Sequence, residues 1–260
     1  MAQGGHGIIR VFEDFQSAIA QTLSDATEYR HNDVRLAAIS GNVAMDIDVT
    51  APNGIATFSG AAGATDGIAI YSMPFQPSTQ GTISMEVRFK LSALTSWGGF
   101  IGWQETVSVA EPVNPFTLSG TTLTSNNGGN AFGLYYDTAA TTDDWRVHAS
   151  LDGTELTTAI GLNGTALGAL GTRVNATPAA ASWMYARVEI DPDGAGRVFY
   201  GDVSIDPSNT GPKLVGTVAA GTIDQTALLH PIAILVDPST NDPLWSVDFF
   251  GASAGRSWAY

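Results

Sequence analysis

The chain is predicted to be all-β, a single antiparallel β-sandwich, on three observations. Segments that alternate apolar and polar residues recur along nearly its whole length, the period-2 mark of strands with one buried face. Gly 29 and Pro 12 supply turns between them, and only 14% of residues are charged, too few for many solvated helices. The first such segment, residues 8–15, and the last, residues 244–251, both set bulky apolar side chains beside acidic ones. That likeness predicts a sheet closed by pairing the two ends.

Taken in order, residues 8–15 form the first strand. Residues 16–32 carry modest helical spacing without a strong cap; they are the best helix position, with an irregular arm as the alternative, and the fold has at most one short helix. Residues 34–39 and 43–49 read as a hairpin around Ser40-Gly41-Asn42. Strands follow at 55–59 and 67–71. Residues 82–91 are the most regular: Ile83, Met85, Val87, Phe89 and Leu91 share one face, and Ser84, Glu86, Arg88 and Lys90 the other. Another strand spans 99–103. Two long, weakly patterned excursions, 105–130 and 162–181, are either contact surfaces or inert elaborations. The remaining strands fall at 131–136, 145–151, 183–191, 196–201, 213–218, 232–236 and 244–250. No repeat of fixed period and no linker divides the chain. Residues 1–260 therefore read as one domain, with an N-terminal arm within 1–53 and a C-terminal tail at 252–260.

The formal net charge of -14, with lysines and arginines occurring singly, argues against nucleic-acid binding. There is no cysteine, hence no disulfide framework or thiolate metal site. Residues 1–7 lack the basic and apolar regions of a secretion signal, and no stretch has the length of a membrane span. The expectation is a protein made in a cytoplasm and used as synthesised, without membrane contact.

In the second half, Asn130-Ala131-Phe132-Gly133-Leu134-Tyr135-Tyr136-Asp137 precedes Asp144-Trp145-Arg146-Val147. Then come Ser182-Trp183-Met184-Tyr185-Ala186-Arg187-Val188-Glu189-Ile190-Asp191, Gly196-Arg197-Val198-Phe199-Tyr200-Gly201-Asp202 and Ser246-Val247-Asp248-Phe249-Phe250. This order resembles the concanavalin A-like lectin/glucanase and laminin-G jelly roll, whose terminal strands pair. The resemblance spans most of residues 8–256 and speaks for fold, since that sandwich hosts enzymes, lectins and structural proteins alike. The missing signal, the missing cysteine and the Thr/Gly/Ala-rich surface also resemble virion proteins of tailed bacteriophages.

Glucanases of this fold set carboxylates at alternate positions of one strand, as E-x-D-x-x-E or E-x-D-x-E, and no such run occurs here. Glu86 stands with Arg88 and Lys90, and Glu189 meets Asp191 only at a strand's end. His6, His31, His148 and His230 share no metal-ligand spacing. Members of the resembled families often bind calcium through loop oxygens. Asp137 with Asp143 and Asp144, Asp191 with Asp193, and Asp237 with Asp242 are weak candidates, the latter two reading first as turns. Trp145, Trp183 and Trp245 read as core. Trp97, Trp103, Trp258 and Tyr260 are the candidates for contact with a glycan or a partner, Trp97 being equally open to packing.

The sequence is therefore read as a non-enzymatic virion structural protein, a capsid decoration or other surface component. It would need no cofactor and would contact capsid or other virion proteins and sister copies, with a trimer as the working guess. The alternative is a carbohydrate-binding module for attachment to cell-surface glycans.

Overall fold

Successive strands of the chain cross repeatedly between two antiparallel sheets in the computed structural model, and the alternation of side chains decides which face of each turns inward. The structure describes all residues except 1–7, 17, 19, 25–26, 40, 49, 52–53, 61–66, 95–96, 108–112, 120–121, 127–128, 139–144, 157–159, 162–179, 203–211, 237–243 and 256–260. In chain order the strands are β1 (Ile8–Glu13), β2 (Gln21–Leu23), β3 (Glu28–His31), β4 (Val34–Ile39), β5 (Val43–Ile47), β6 (Ala56–Ser59) and β7 (Gly67–Ser72). After the single-turn helix α1 (Pro77–Gln80) come β8 (Ile83–Leu91), β9 (Gly98–Gln104), β10 (Phe116–Ser119), β11 (Thr122–Ser125), β12 (Ala131–Asp137) and β13 (Arg146–Leu151). The last are β14 (Thr154–Glu155), β15 (Ile160–Gly161), β16 (Trp183–Ile190), β17 (Gly196–Gly201), β18 (Lys213–Val218), β19 (His230–Val236) and β20 (Trp245–Gly255).

The first sheet has the order β18-β17-β16-β8-β20-β6-β5-β2, with β1 also on β20; the second has β14-β13-β12-β9-β19-β7-β4-β3, with β15 on β13. Their inner faces share one core. Strand β8 alternates as its sequence demands, with Ile83, Met85, Val87, Phe89 and Leu91 all buried. The Trp103 indole on β9 of the second sheet donates to the Val188 carbonyl on β16 of the first at 3.0 Å, which ties the layers and satisfies a buried N–H.

The two ends pair as expected, from Ile8 opposite Gly255 to Glu13 opposite Phe250. Which side chains face inward was not legible. In β1 Val11 and the acidic Glu13 are buried while Phe12 is 58% exposed. Glu13 is held by the Phe15 amide at 2.6 Å and the Asn32 side-chain amide at 2.8 Å. In β20 the register shifts between Val247 and Phe249, so Asp248 is an extra residue on that strand. The bulge reverses the parity: Trp245 and Val247 face the core before it, Phe250, Ala252 and Ala254 after it. Phe249 is turned outward, 5.9 Å from Phe12 in a stacked pair.

Three expectations need correction. The described residues among 16–32 are not helical: β2 and β3 lie at the edges of opposite sheets, where each finds a backbone partner in β5 or β4 that an uncapped helix would forgo. β4 and β5 are not a hairpin, because β4 pairs with β7 in the second sheet and β5 with β6 in the first. The turn at Gly41, with φ 126, carries the chain from one layer to the other. Finally, residues 252–255 are strand rather than tail, extending β20 along β1.

Candidate binding face

Two of the expected contact tryptophans, Trp97 and Trp103, are core residues. Trp97 is 1% exposed, stacked on Tyr136 with centroids 4.0 Å apart and edge-on to Trp145 at 5.6 Å. Trp103 has no exposed surface and meets Phe75 edge-on at 5.7 Å. Both indoles fill the space between the sheets, so neither can stack on a sugar or a partner. Trp258 and Tyr260 lie outside the described residues. Of the calcium candidates Asp143, Asp144, Asp237 and Asp242 also lie outside them. Asp137 accepts the Tyr135 hydroxyl at 2.6 Å. Asp191 and Asp193 belong to a turn: Gly194, with φ 80, donates to the Asp191 carbonyl at 2.9 Å, and Ala195 donates to the Asp193 carboxylate at 3.0 Å. Among the described residues no group of three or more His, Asp or Glu side chains could hold a metal.

The outer face of the second sheet is covered by the first long excursion. Its hairpin, β10 paired with β11, lays Phe116 against Phe100 at 5.7 Å, Tyr135 at 5.9 Å and His148 at 5.5 Å. With Ile232, Ile234, Tyr71 and Ala69 these make a second apolar cluster. Gln104 anchors the cover by donating to the carbonyls of Thr106 and Val113, at 2.7 and 3.0 Å. The described part of the excursion is thus packed against the sheet.

The outer face of the first sheet is different. Alternation sends Ser84, Glu86, Arg88 and Lys90 of β8 outward, and with them Tyr185, Arg187 and Glu189 of β16 and Trp183, which the sequence placed in the core and which is half-buried on this outer face instead. Arg10 and Phe12 join from β1, and Phe249, Gly251 and Ser253 from β20. Aromatic rings are held in place by one another and by cations. Tyr185 meets Phe249 edge-on at 5.7 Å, the Arg88 guanidinium lies 4.7 Å from the Trp183 ring centroid, and that of Arg187 lies 5.6 Å from Phe199. Leu214, 43% exposed, pairs beside Phe199.

Ion pairs fix the margins of this face. Arg88 donates to Asp248 at 2.7 Å, and Arg197 to Glu189 at 2.9 Å and to Asp191 at 2.6 and 2.8 Å. The pair of hydrogen bonds from Arg197 keeps the Asp191 carboxyl below its usual range, and the same contact raises the Arg197 guanidinium. Tyr185 donates its hydroxyl to Glu86; burial and that carboxylate push the phenol well above its ordinary value, so it stays a donor. Between Arg10 and Phe12 on one side and Arg187 on the other lies an open hollow of about 600 Å³, floored by Ser84, Gly251 and Ser253 with Glu86 on its wall.

No single sequence signal gave this face. Arg10, Phe12, Glu86, Tyr185, Arg187 and Phe249 come from four strands, and the parity of two of those strands is set by the β20 bulge and by buried Glu13.

Two antiparallel sheets, with the terminal strands paired inside one of them, define a concanavalin A-like sandwich. Solved structures of the same fold bear this out. The chain matches protein SO2946 of unknown function from Shewanella oneidensis MR-1 at 14% identity, over 98% of this chain and 90% of that one, with a TM-score of 0.52. The seed lectin of Lotus tetragonolobus matches at 10% identity, over 92% of this chain and 100% of the lectin, with a TM-score of 0.51. The CBM2 module of the evolved Dit of Lactobacillus casei BL23 phage J-1 matches at 12% identity, over 98% and 99%, also at 0.51. No family model matches the chain, and no curated protein matches it in sequence.

Proposed function

We propose that the protein is a non-enzymatic structural component of a tailed-bacteriophage virion, a capsid decoration or other surface part. It acts through protein–protein contacts made by the outer face of the first sheet, with virion proteins and with further copies of itself. The observation that carries this is the exposed aromatic and arginine-rich surface on a rigid sheet. Phe12, 58% exposed, stacks on Phe249, which meets Tyr185, and Trp183 lies further along the same face, with Arg88 over the Trp183 ring and Arg187 over Phe199. Exposed Phe, Tyr, Trp and Arg are the side chains enriched at protein interfaces. A non-enzymatic role is supported by the carboxylates of this face: Glu189 and Asp191 are both held in ion pairs with Arg197 rather than aimed at a ligand. The phage setting is supported by the fold shared with the phage J-1 module.

The test is mass spectrometry of phage particles purified from cells carrying the gene, with reassociation of added protein. The protein is expected at a copy number matching a symmetric lattice, and Phe12→Asp, a change at an exposed side chain, is expected to remain folded and fail to reassociate. Absence from purified particles overturns the reading.

A second reading, binding of a glycan, is favoured by one specific feature: the hollow beside Phe12 joins a free aromatic wall to hydrogen-bonding side chains. The two roles are compatible on one virion surface.

A further inference from the structure

We infer that this hollow binds a carboxylated sugar, an inference that rests on the glycan-binding reading and gives it a ligand class. The chain has 11 lysines and arginines in a protein of net charge -14, and five of them, Arg10, Arg88, Lys90, Arg187 and Arg197, project from this one face. Arg88 and Arg197 are used in ion pairs at its margins. Two guanidiniums, Arg10 and Arg187, border the hollow itself, against a single carboxylate, Glu86. Their donors are not spent. The Arg10 side chain has no hydrogen bond or ion pair among the described residues, and the Arg187 side chain, paired with Glu189 through Nη2, is still 44% exposed.

The remaining groups narrow the ligand. A guanidinium fork matches a carboxylate in shape and charge. Glu86 accepts hydrogen bonds only, so it selects a ligand that also carries hydroxyl donors and disfavours phosphate or sulfate, which bring acceptors and more negative charge. The hydroxyls of Ser84 and Ser253 on the floor can donate or accept. The Phe12 ring, exposed and braced by its stack on Phe249, offers an apolar face to the C–H side of a pyranose. Acid, hydroxyls and an apolar ring face together describe a uronic or sialic acid. About 600 Å³ lies within the range of small-molecule sites.

Isothermal titration of the full chain with trigalacturonate, a hyaluronan tetrasaccharide and sialyllactose, each beside its carboxyl methyl ester, tests the assignment. At least one acid is expected to bind, its ester about tenfold more weakly or less, and Arg10→Gln to lose about tenfold, the scale of one charge-assisted hydrogen bond. Gly251→Leu is expected to abolish binding without unfolding the chain, since its backbone is not left-handed and a Cβ there has its nearest neighbour at 3.5 Å. Failure of all three acids, equal binding of acid and ester, undiminished binding by folded Gly251→Leu, or equal competition by hexaglutamate overturns the inference. The last outcome would make the hollow an acidic-peptide site. Particle association of Gly251→Leu is measured in parallel, so loss of saccharide with retention on particles separates this inference from the structural role.

Discussion

His148 shows how a single residue can report on the cover of the second sheet. It is 3% exposed, packed against Phe116 and Tyr135, and its Nε2 has no hydrogen-bond partner. Burial, with a smaller contribution from the Arg146 charge, pulls its pKa down to about 3 from 6.5. The folded state therefore prefers the neutral ring. Above pH 6.5 both states hold it neutral and pH has no effect through this group. Below 6.5 the unfolded chain takes up the proton first, so stability falls with pH until the folded pKa is passed. The slope rises from half of its limit at pH 6.5 toward about 1.4 kcal/mol per unit, so lowering the pH from 6.5 to 4.5 should remove about 2 kcal/mol through this residue. Urea denaturation at the two pH values checks it. The His148→Leu variant should lose about 2 kcal/mol less than the parent over that interval, and equal losses would place the ring in contact with water. His148 was legible in sequence only as a strand residue, because its environment is built by Phe116, 32 positions earlier and in another layer.

At the scale of the element, strands whose alternation survives intact were legible, and β8 is the clearest case. Where a strand's meaning depends on its neighbours, sequence alone misled. β4 and β5 have hairpin-like spacing yet enter different sheets, and residues 16–32 have helix-like spacing yet supply two edge strands. The glycines of β9 and β12 are a further instance, since glycine ordinarily weakens a strand. Gly102 lies opposite Gly133, and a Cβ added at Gly102 would sit 2.2 Å from the Phe132 carbonyl oxygen and 2.9 Å from the end of the Phe100 ring. At Gly133 it would sit 2.2 Å from the Ile101 carbonyl oxygen. The absent side chain at Gly102 leaves the room that the end of the Phe100 ring occupies. Gly102→Ala and Gly133→Ala should each cost about 3 kcal/mol, the upper end of overpacking. Gly251→Ala, whose Cβ meets only ordinary contacts, should change stability by less than about 0.5 kcal/mol. Denaturant midpoints of the three variants test the contrast, and similar values for all three would contradict it.

For the whole molecule, the decisive contact is the one between the ends. Both terminal segments are strand-like in sequence, and their pairing was legible; their facing was not, because it depends on the extra residue Asp248 and on the cage of hydrogen bonds around Glu13. β20 is central to the first sheet: β8 runs along one side, and β6 and β1 share the other. A chain beginning at residue 14 would leave residues 250–255 of β20 without their β1 partner, open the core beside Val11 and remove the carboxylate that holds Phe15 and Asn32. Several kcal/mol are at stake, and at this size each moves the melting temperature by about 2–4 °C. The truncated chain should melt more than about 10 °C below the full chain. It should also scatter light at concentrations where the full chain stays clear, because an unpaired central strand is a template for another copy. Truncation would remove Arg10 and Phe12 as well, so loss of particle or saccharide binding in this variant carries no weight unless Phe12→Asp and Arg10→Gln lose it in the intact sandwich. Equal melting of the two chains would mean that the ends rest against the sheet without closing it, and the binding face would then have to be built from β8, β16 and β17 alone.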